Sequence, residues 1–181
     1  MGIALVMSSL SFPAITTEFS DEKAKLVDLV LKRIAKQHKK SVFLKKISFS
    51  EDELNSYLNL VYIKRYTPEV KYVKLKLNKN NFVSGSMKIK LEGKKYDKVP
   101  SFFKNIDVDT SGRVECNKYR MRFIFETLQV NGTTLTPEVL DEAFGQVQTR
   151  TKIKKSMYDW FNLLPGIKNV IVDYKKLTIF Y

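Results

Sequence analysis

Apolar and polar positions alternate along this chain with two different periods. Leu26, Val27, Val30, Leu31 and Ile34 recur at helical spacing, with Lys25, Lys32, Lys36 and Lys39 off that stripe. Ser20 stands where a cap belongs, and Asp21 and Glu22 follow at the positive end of the helix. The pattern predicts a helix from there to His38 or Lys39. Val42 to Phe49 reads as a short strand. Ser50-Glu51-Asp52-Glu53 is a capping box, with Glu53 three residues after the cap. It opens a second, short helix with Leu54, Tyr57, Leu58 and Val61 on one side.

After Pro68 the period falls to two. Val73, Leu75 and Leu77 alternate with Lys74 and Lys76; Val83, Gly85, Met87, Ile89 and Leu91 alternate with Ser84, Ser86, Lys88 and Lys90. Asn78 to Asn81 is the turn between them, so this is an antiparallel hairpin with one apolar and one basic face. Gly93 to Ile106 is irregular and holds Pro100 and the pair Phe102-Phe103. Asp109-Thr110-Ser111-Gly112 reads as a turn flanked by two strands, the second a long one with Tyr119, Met121, Phe123 and Phe125 on one side. Val130-Asn131-Gly132-Thr133 is a tight-hairpin signal, because Asn-Gly tolerates positive φ. Thr136 caps a third helix with Pro137 at its first position and Val139, Leu140, Ala143 and Phe144 facing inward. Ile167 to Tyr181 closes the chain as a hairpin turning near Asp173 to Lys176. Helices and antiparallel strands in this order, without a βαβ rhythm, give an α+β class.

Length and charge narrow the partners. The 181 residues suit one domain, and the net charge of +13 implies attraction to a polyanion. Of 32 basic residues only Arg33, Arg65, Arg113, Arg120, Arg122 and Arg150 are Arg. A Lys-dominated surface suits diffuse electrostatics better than the bidentate reading of bases or phosphates. The first 17 residues carry no charge. Residues 1–19 are therefore an apolar N-terminal segment, either the remnant of a secretory signal or an apolar terminus without that role.

Chemistry-bearing residues are few. The single His, His38, sits at the end of a Lys-rich helix, and the single Cys, Cys116, reads as a small buried strand residue with no base to activate it. Asp107 to Gly112 imitates the start of a calcium loop, but Lys118 stands where the bidentate Glu belongs. No phosphate-binding Gly loop, nucleophile elbow or zinc-protease motif is present. No catalytic residue, cofactor or metal is expected.

The predicted sheet is the informative feature. Val73, Leu75, Leu77, Met87, Ile89, Leu91, Met121, Phe123 and Phe125 share its inner face. That face is either ordinary core or the lining of a groove for an acyl chain, and periodicity does not separate the two. Lys74, Lys76, Lys88, Lys90, Arg120 and Arg122 share the outer face. They form either a solvated, edge-protected surface or a docking face for anionic headgroups. In Asp159-Trp160-Phe161-Asn162-Leu163-Leu164-Pro165-Gly166-Ile167, Pro165-Gly166 reads as the turn that aims the last hairpin. Leu163 and Leu164 are then expected to be buried. Trp160 and Phe161 follow the basic run Arg150 to Lys155 and are candidates for membrane contact.

Three junctions carry a family resemblance. Ile47 to Leu58, ISFSEDELNSYL, resembles the strand, capping box and helix that begin a group of small secreted bacterial proteins. Leu128 to Pro137, LQVNGTTLTP, resembles their hairpin-to-helix junction, and Phe161 to Val170, FNLLPGIKNV, their turn before the final hairpin. The chain thus resembles the LmeA-like branch of the TULIP (tubular lipid-binding) superfamily over residues 47–181. It departs from that group in its strong basicity and in lacking a clear signal peptide. The resemblance implies a long curved antiparallel sheet wrapped around one or two helices, with lipid held between them, and no catalytic residue.

The expectation is a single α+β domain over residues 20–181. Its expected role is non-enzymatic binding or transport of a phospholipid or similar amphiphile. It would work as a monomer outside the cytoplasm, periplasmic or envelope-associated, with an anionic membrane surface as second contact and no sequence-specific nucleic acid. Two other classes fit the same composition: a basic envelope or cytoplasmic adaptor with a filled core that binds an anionic polymer or protein, and a nucleic-acid-binding module.

Overall fold

The two-residue period after Pro68 builds an antiparallel sheet. A computed structural model describes residues 19–37, 44–97, 101, 104–136 and 159–181. The predicted third helix, His38, Phe102-Phe103, the basic run 150–155 and nearly all of the apolar N-terminal segment lie outside the described residues. Strands β2 (Val70–Leu77), β3 (Phe82–Lys90), β4 (Asn105–Asn117) and β5 (Arg120–Val130) lie side by side in chain order. Two short strands share the far edge of β5: β6 (Thr133–Thr134) at its end and β7 (Phe161–Asn162) at its start. A second sheet of three strands runs in the order β1 (Lys46–Ser50), β9 (Lys176–Phe180), β8 (Asn169–Asp173). All pairings are antiparallel. The result is one α+β domain with an open sheet.

The first helix, α1 (Asp21–Gln37), buries Ala24, Val27 and Ile34. Val27 and Ile34 meet Phe49, Val170 and Ile179 of the small sheet, together with Ile167. Leu26, placed on the apolar stripe by its spacing, is 50% exposed. The capping box forms as read: Glu53 N–H donates to Ser50 Oγ at 3.3 Å and Ser50 N–H to Glu53 Oε2 at 2.6 Å. The helix it opens is longer than its apolar positions suggested. It runs through α2 (Glu51–Tyr57), a π-helical turn (Leu58–Tyr62) and α3 (Ile63–Tyr66).

This helix also closes the β2 edge. Leu75 N–H donates to Asn55 Oδ1 at 2.7 Å, and Asn55 Nδ2 donates back to Leu75 C=O at 2.9 Å. Asn59 does the same for Val73, at 2.9 and 2.6 Å. Glu51 accepts from Leu77 N–H at 2.6 Å. Four helical residues rise about 6 Å, and two strand residues about 6.7 Å, so amides at i and i+4 stay in step with alternate strand residues. A primary amide offers donor and acceptor together and so imitates a neighbouring strand.

One turn lies elsewhere than its composition suggested. Asp109 to Gly112 is not a turn but the middle of β4, which continues to Asn117; Ser111 pairs with Thr127 and Gly112 with Phe125, so the bulge falls on β5 at Glu126. The chain reverses instead at Lys118 and Tyr119, with φ of +42° and +68°. Facing that bulge, Gly112 admits a close approach of β5, because a Cβ there would stand 2.1 Å from the Ile124 carbonyl oxygen. The turns at Asn80-Asn81, Asn131-Gly132 and Tyr174-Lys175 fall where the sequence places them.

Candidate functional site

The apolar faces of the two sheets meet across a gap that their side chains leave unfilled. From the large sheet come Leu75, Leu77, Val83, Val114, Met121, Phe123 and Phe125; from the small sheet come Val170, Val172 and Leu177. They bound a half-enclosed cavity of about 390 Å³. Its base is tight: Leu77, Val114 and Val172 form one buried cluster, with Leu177 and Cys116 against it. Phe123 and Phe125, two residues apart on β5, meet edge to face with centroids 4.8 Å apart. Gly112 makes room for this pair, since a Cβ at that position would lie 3.0 Å from Phe123 Cζ. Burial pushes the Cys116 thiol up from its ordinary value, so it stays neutral.

The nine residues predicted to line a groove divide into two sets. Leu75, Leu77, Met121, Phe123 and Phe125 line the cavity. Val73, Met87, Ile89 and Leu91 do not; they are half-buried towards the other end of β2 and β3. Their strand register explains it. Val73 pairs with Met87 and Met87 with Val108, while the small sheet lies opposite the Leu75–Leu77 end. Sequence reading missed Val170, Val172 and Leu177 as lining. Their alternation on the last hairpin marks an inward face but does not say what it faces.

On the outer face, acidic residues of the neighbouring strands stand among the bases. Across the strands Lys74 is followed by Ser86 and Asp109, and Lys88 stands beside Asp107. Arg122 bonds Glu115 at 2.7 Å, Arg113 bonds Glu126 at 3.0 Å, and Lys90 bonds Glu92 at 2.8 Å. The acidic residues of β4 and β5 thus interleave with the bases. A wider trough of about 690 Å³ lies on this face between Lys74, Lys76 and Lys175, floored by Ser84, Ser86 and Ser111.

Leu163 packs on the core as read, but Leu164 is 55% exposed. Pro165-Gly166 forms the expected turn, closed by Ile167 N–H to Leu164 C=O at 2.9 Å with Gly166 at φ +93°. Trp160 is half-buried beneath Arg122, whose guanidinium carbon lies 4.8 Å from the ring centroid. Phe161 is exposed and pairs with Met121 as part of β7. The two candidate membrane-contact residues therefore differ: one is covered by a cation, the other faces outward.

Among the described residues no group of three or more metal-ligating side chains converges, and no helix is long and apolar enough to cross a membrane. Comparison of the chain with protein-family models and with curated proteins gives no match.

Proposed function

We propose that the chain is a non-enzymatic binding protein that holds the apolar part of a lipid or similar amphiphile between its two sheets. The cavity carries this reading. Close-packed interiors hold few voids larger than a water molecule, and small-molecule sites run from about 300 to 1,000 Å³. The cleft is open to solvent on one side, so its apolar walls stay wetted until something covers them. An occupant of methylene groups gains about 0.8 kcal/mol per CH₂ buried. Met121 and the Phe123–Phe125 pair supply walls that repack around an irregular tail.

The reading includes a TULIP-like relation of sheet and helix and an extracytoplasmic site of action. Its supports are the Ser50 capping box, the Asn131-Gly132 and Pro165-Gly166 turns, and the uncharged N-terminal run. The alternation of charge on the outer face argues against a polyanion docking there, and so favours the lipid over a nucleic acid or anionic polymer.

Uptake of dansyl-undecanoic acid, followed by its fluorescence, tests the proposal together with mass spectrometry of lipid extracted from the purified protein. Saturable uptake that Val83→Trp lowers at least tenfold, with an unchanged circular-dichroism spectrum, is the expected result. A protein that carries no lipid from a lipid-rich lysate and takes up no probe is not a lipid carrier.

A further inference from the structure

Between α2 and α3 the helix takes one residue too many. The π turn at Leu58–Tyr62 makes a five-residue step act as the four-residue step of an α-helix. Tyr57 and Tyr62 would otherwise point roughly 140° apart, at about 100° per residue. Instead their ring centroids lie 6.4 Å apart. Tyr66, four residues on, continues the row at 5.1 Å. Opposite this row stand Asp28, Leu31 and Lys32 of α1, with Leu164 at the rim. Together they bound a pocket of about 470 Å³. It shares no lining residue with the cavity between the sheets.

The charges in this pocket decide what it can hold. Asp28 accepts from Lys32 Nζ at 2.6 Å and from Arg65 Nη1 at 3.3 Å. One carboxylate between two cations leaves the wall with a surplus positive charge. Tyrosine faces alone attract cations, but the Arg65 guanidinium carbon already lies 5.7 Å from the Tyr66 centroid. A cationic ligand would compete with Arg65 for that face and be repelled by Lys32. An anion would meet the remaining donors of a guanidinium, which has five N–H groups, and of an ammonium, which has three.

We propose that this pocket is a second binding site, for a small ring-bearing monoanion such as an aromatic carboxylate. The ring lies along Tyr57, Tyr62 and Tyr66, and the carboxylate sits on Arg65 and Lys32. The exposed Leu164 closes the apolar side. Site and ligand are independent of whatever occupies the cavity between the sheets.

The test uses naphthoate as the probe and follows the tyrosine ring signals of isotope-labelled protein by NMR. Saturable shifts of the Tyr57, Tyr62 and Tyr66 rings are expected. Naphthalenemethanol, the same ring system without charge, is expected to bind at least fivefold more weakly, and a naphthylmethyl-trimethylammonium cation more weakly still. Arg65→Gln should weaken naphthoate at least fivefold, as should Tyr62→Leu, which keeps apolar bulk and removes the ring. Both positions are exposed, so both variants keep the fold. Preference for the cation, equal binding of charged and uncharged probes, or unchanged affinity in either variant overturns the proposal. So do shifts confined to residues of the cavity between the sheets.

Discussion

Asp28 shows how much one side chain can organise. It lies on α1, yet it joins Lys32 of its own helix to Arg65 of α3. The Lys32 ammonium bonded to it, with help from Arg65, holds its carboxyl below the ordinary aspartate value of 3.8 although burial acts the other way. A carboxylate whose folded value is depressed stabilises the fold above its unfolded value, and that contribution is lost as pH falls through the folded value. Asp28→Asn is therefore expected to lower stability above the ordinary aspartate value and to converge on the parent protein in stronger acid. Urea unfolding across that range checks it; a constant difference between the two proteins refutes it. Residue chemistry of this kind was only partly legible. Asp28 and Lys32 sit at i and i+4 in the sequence, but Arg65 enters through the fold. Gly112 looked like a turn residue and is instead a strand residue facing a bulge, because the contact that forbids a side chain comes from Ile124 on another strand.

At the scale of elements, the Asn55–Asn59 ladder is the device with the clearest energetic consequence. A strand edge left bare invites pairing with another chain. Here two side-chain amides and Glu51 occupy it. Asn55 is buried, so Asn55→Leu strands one N–H and one C=O of Leu75. The expected cost is about 1–3 kcal/mol for each group left unpaired, read as a lower urea midpoint. Light scattering should rise as well, as bared β2 edges find one another. A variant as stable and as monodisperse as the parent shows that the ladder is dispensable. The start of the helix and its N-terminal capping box were legible; its length and the ladder were not. Glu51, Asn55 and Asn59 recur every four residues, but polar residues at that spacing also describe any solvated helix face. The signal becomes specific only beside a strand whose alternate amides match it. The reversal at Lys118-Tyr119 was hidden for a similar reason. Neither residue advertises positive φ, whereas Asp109 to Gly112 has turn composition but is held in line by β3 on one side and β5 on the other.

For the molecule as a whole, the two cores share flanking side chains among the described residues. Leu54, Cys116 and Leu177 touch both buried clusters, and the cavity opens between the sheets beside them. An amphiphile seated there contacts both sheets and binds only the folded chain. At a free concentration of one hundred times its dissociation constant it should add about 2.7 kcal/mol. At roughly 2–4 °C per kcal/mol for a chain of this size, the melting temperature should rise by about 5–10 °C. Differential scanning fluorimetry with dansyl-undecanoic acid reads this shift, and Val83→Trp should abolish it. An equal rise in the variant would place the binding elsewhere.

The local elements follow from the order of residues alone: the capped helix starts, the two-residue period of the strands, the Asn and Pro-Gly turns, and which face of each strand is apolar. Steric and hydrogen-bonding preferences within a few residues decide these, and such preferences are written in neighbouring letters. Long-range packing sets which apolar faces oppose each other, that five of nine predicted groove residues line a cavity, and that Lys90 and Arg122 of the outer face meet carboxylates. It also gathered three tyrosines beside Asp28 and Arg65. Those relations depend on strand register and on the packing of segments distant in the chain. A shift of one residue in register would send the same side chains to the opposite face without changing the pattern of the sequence.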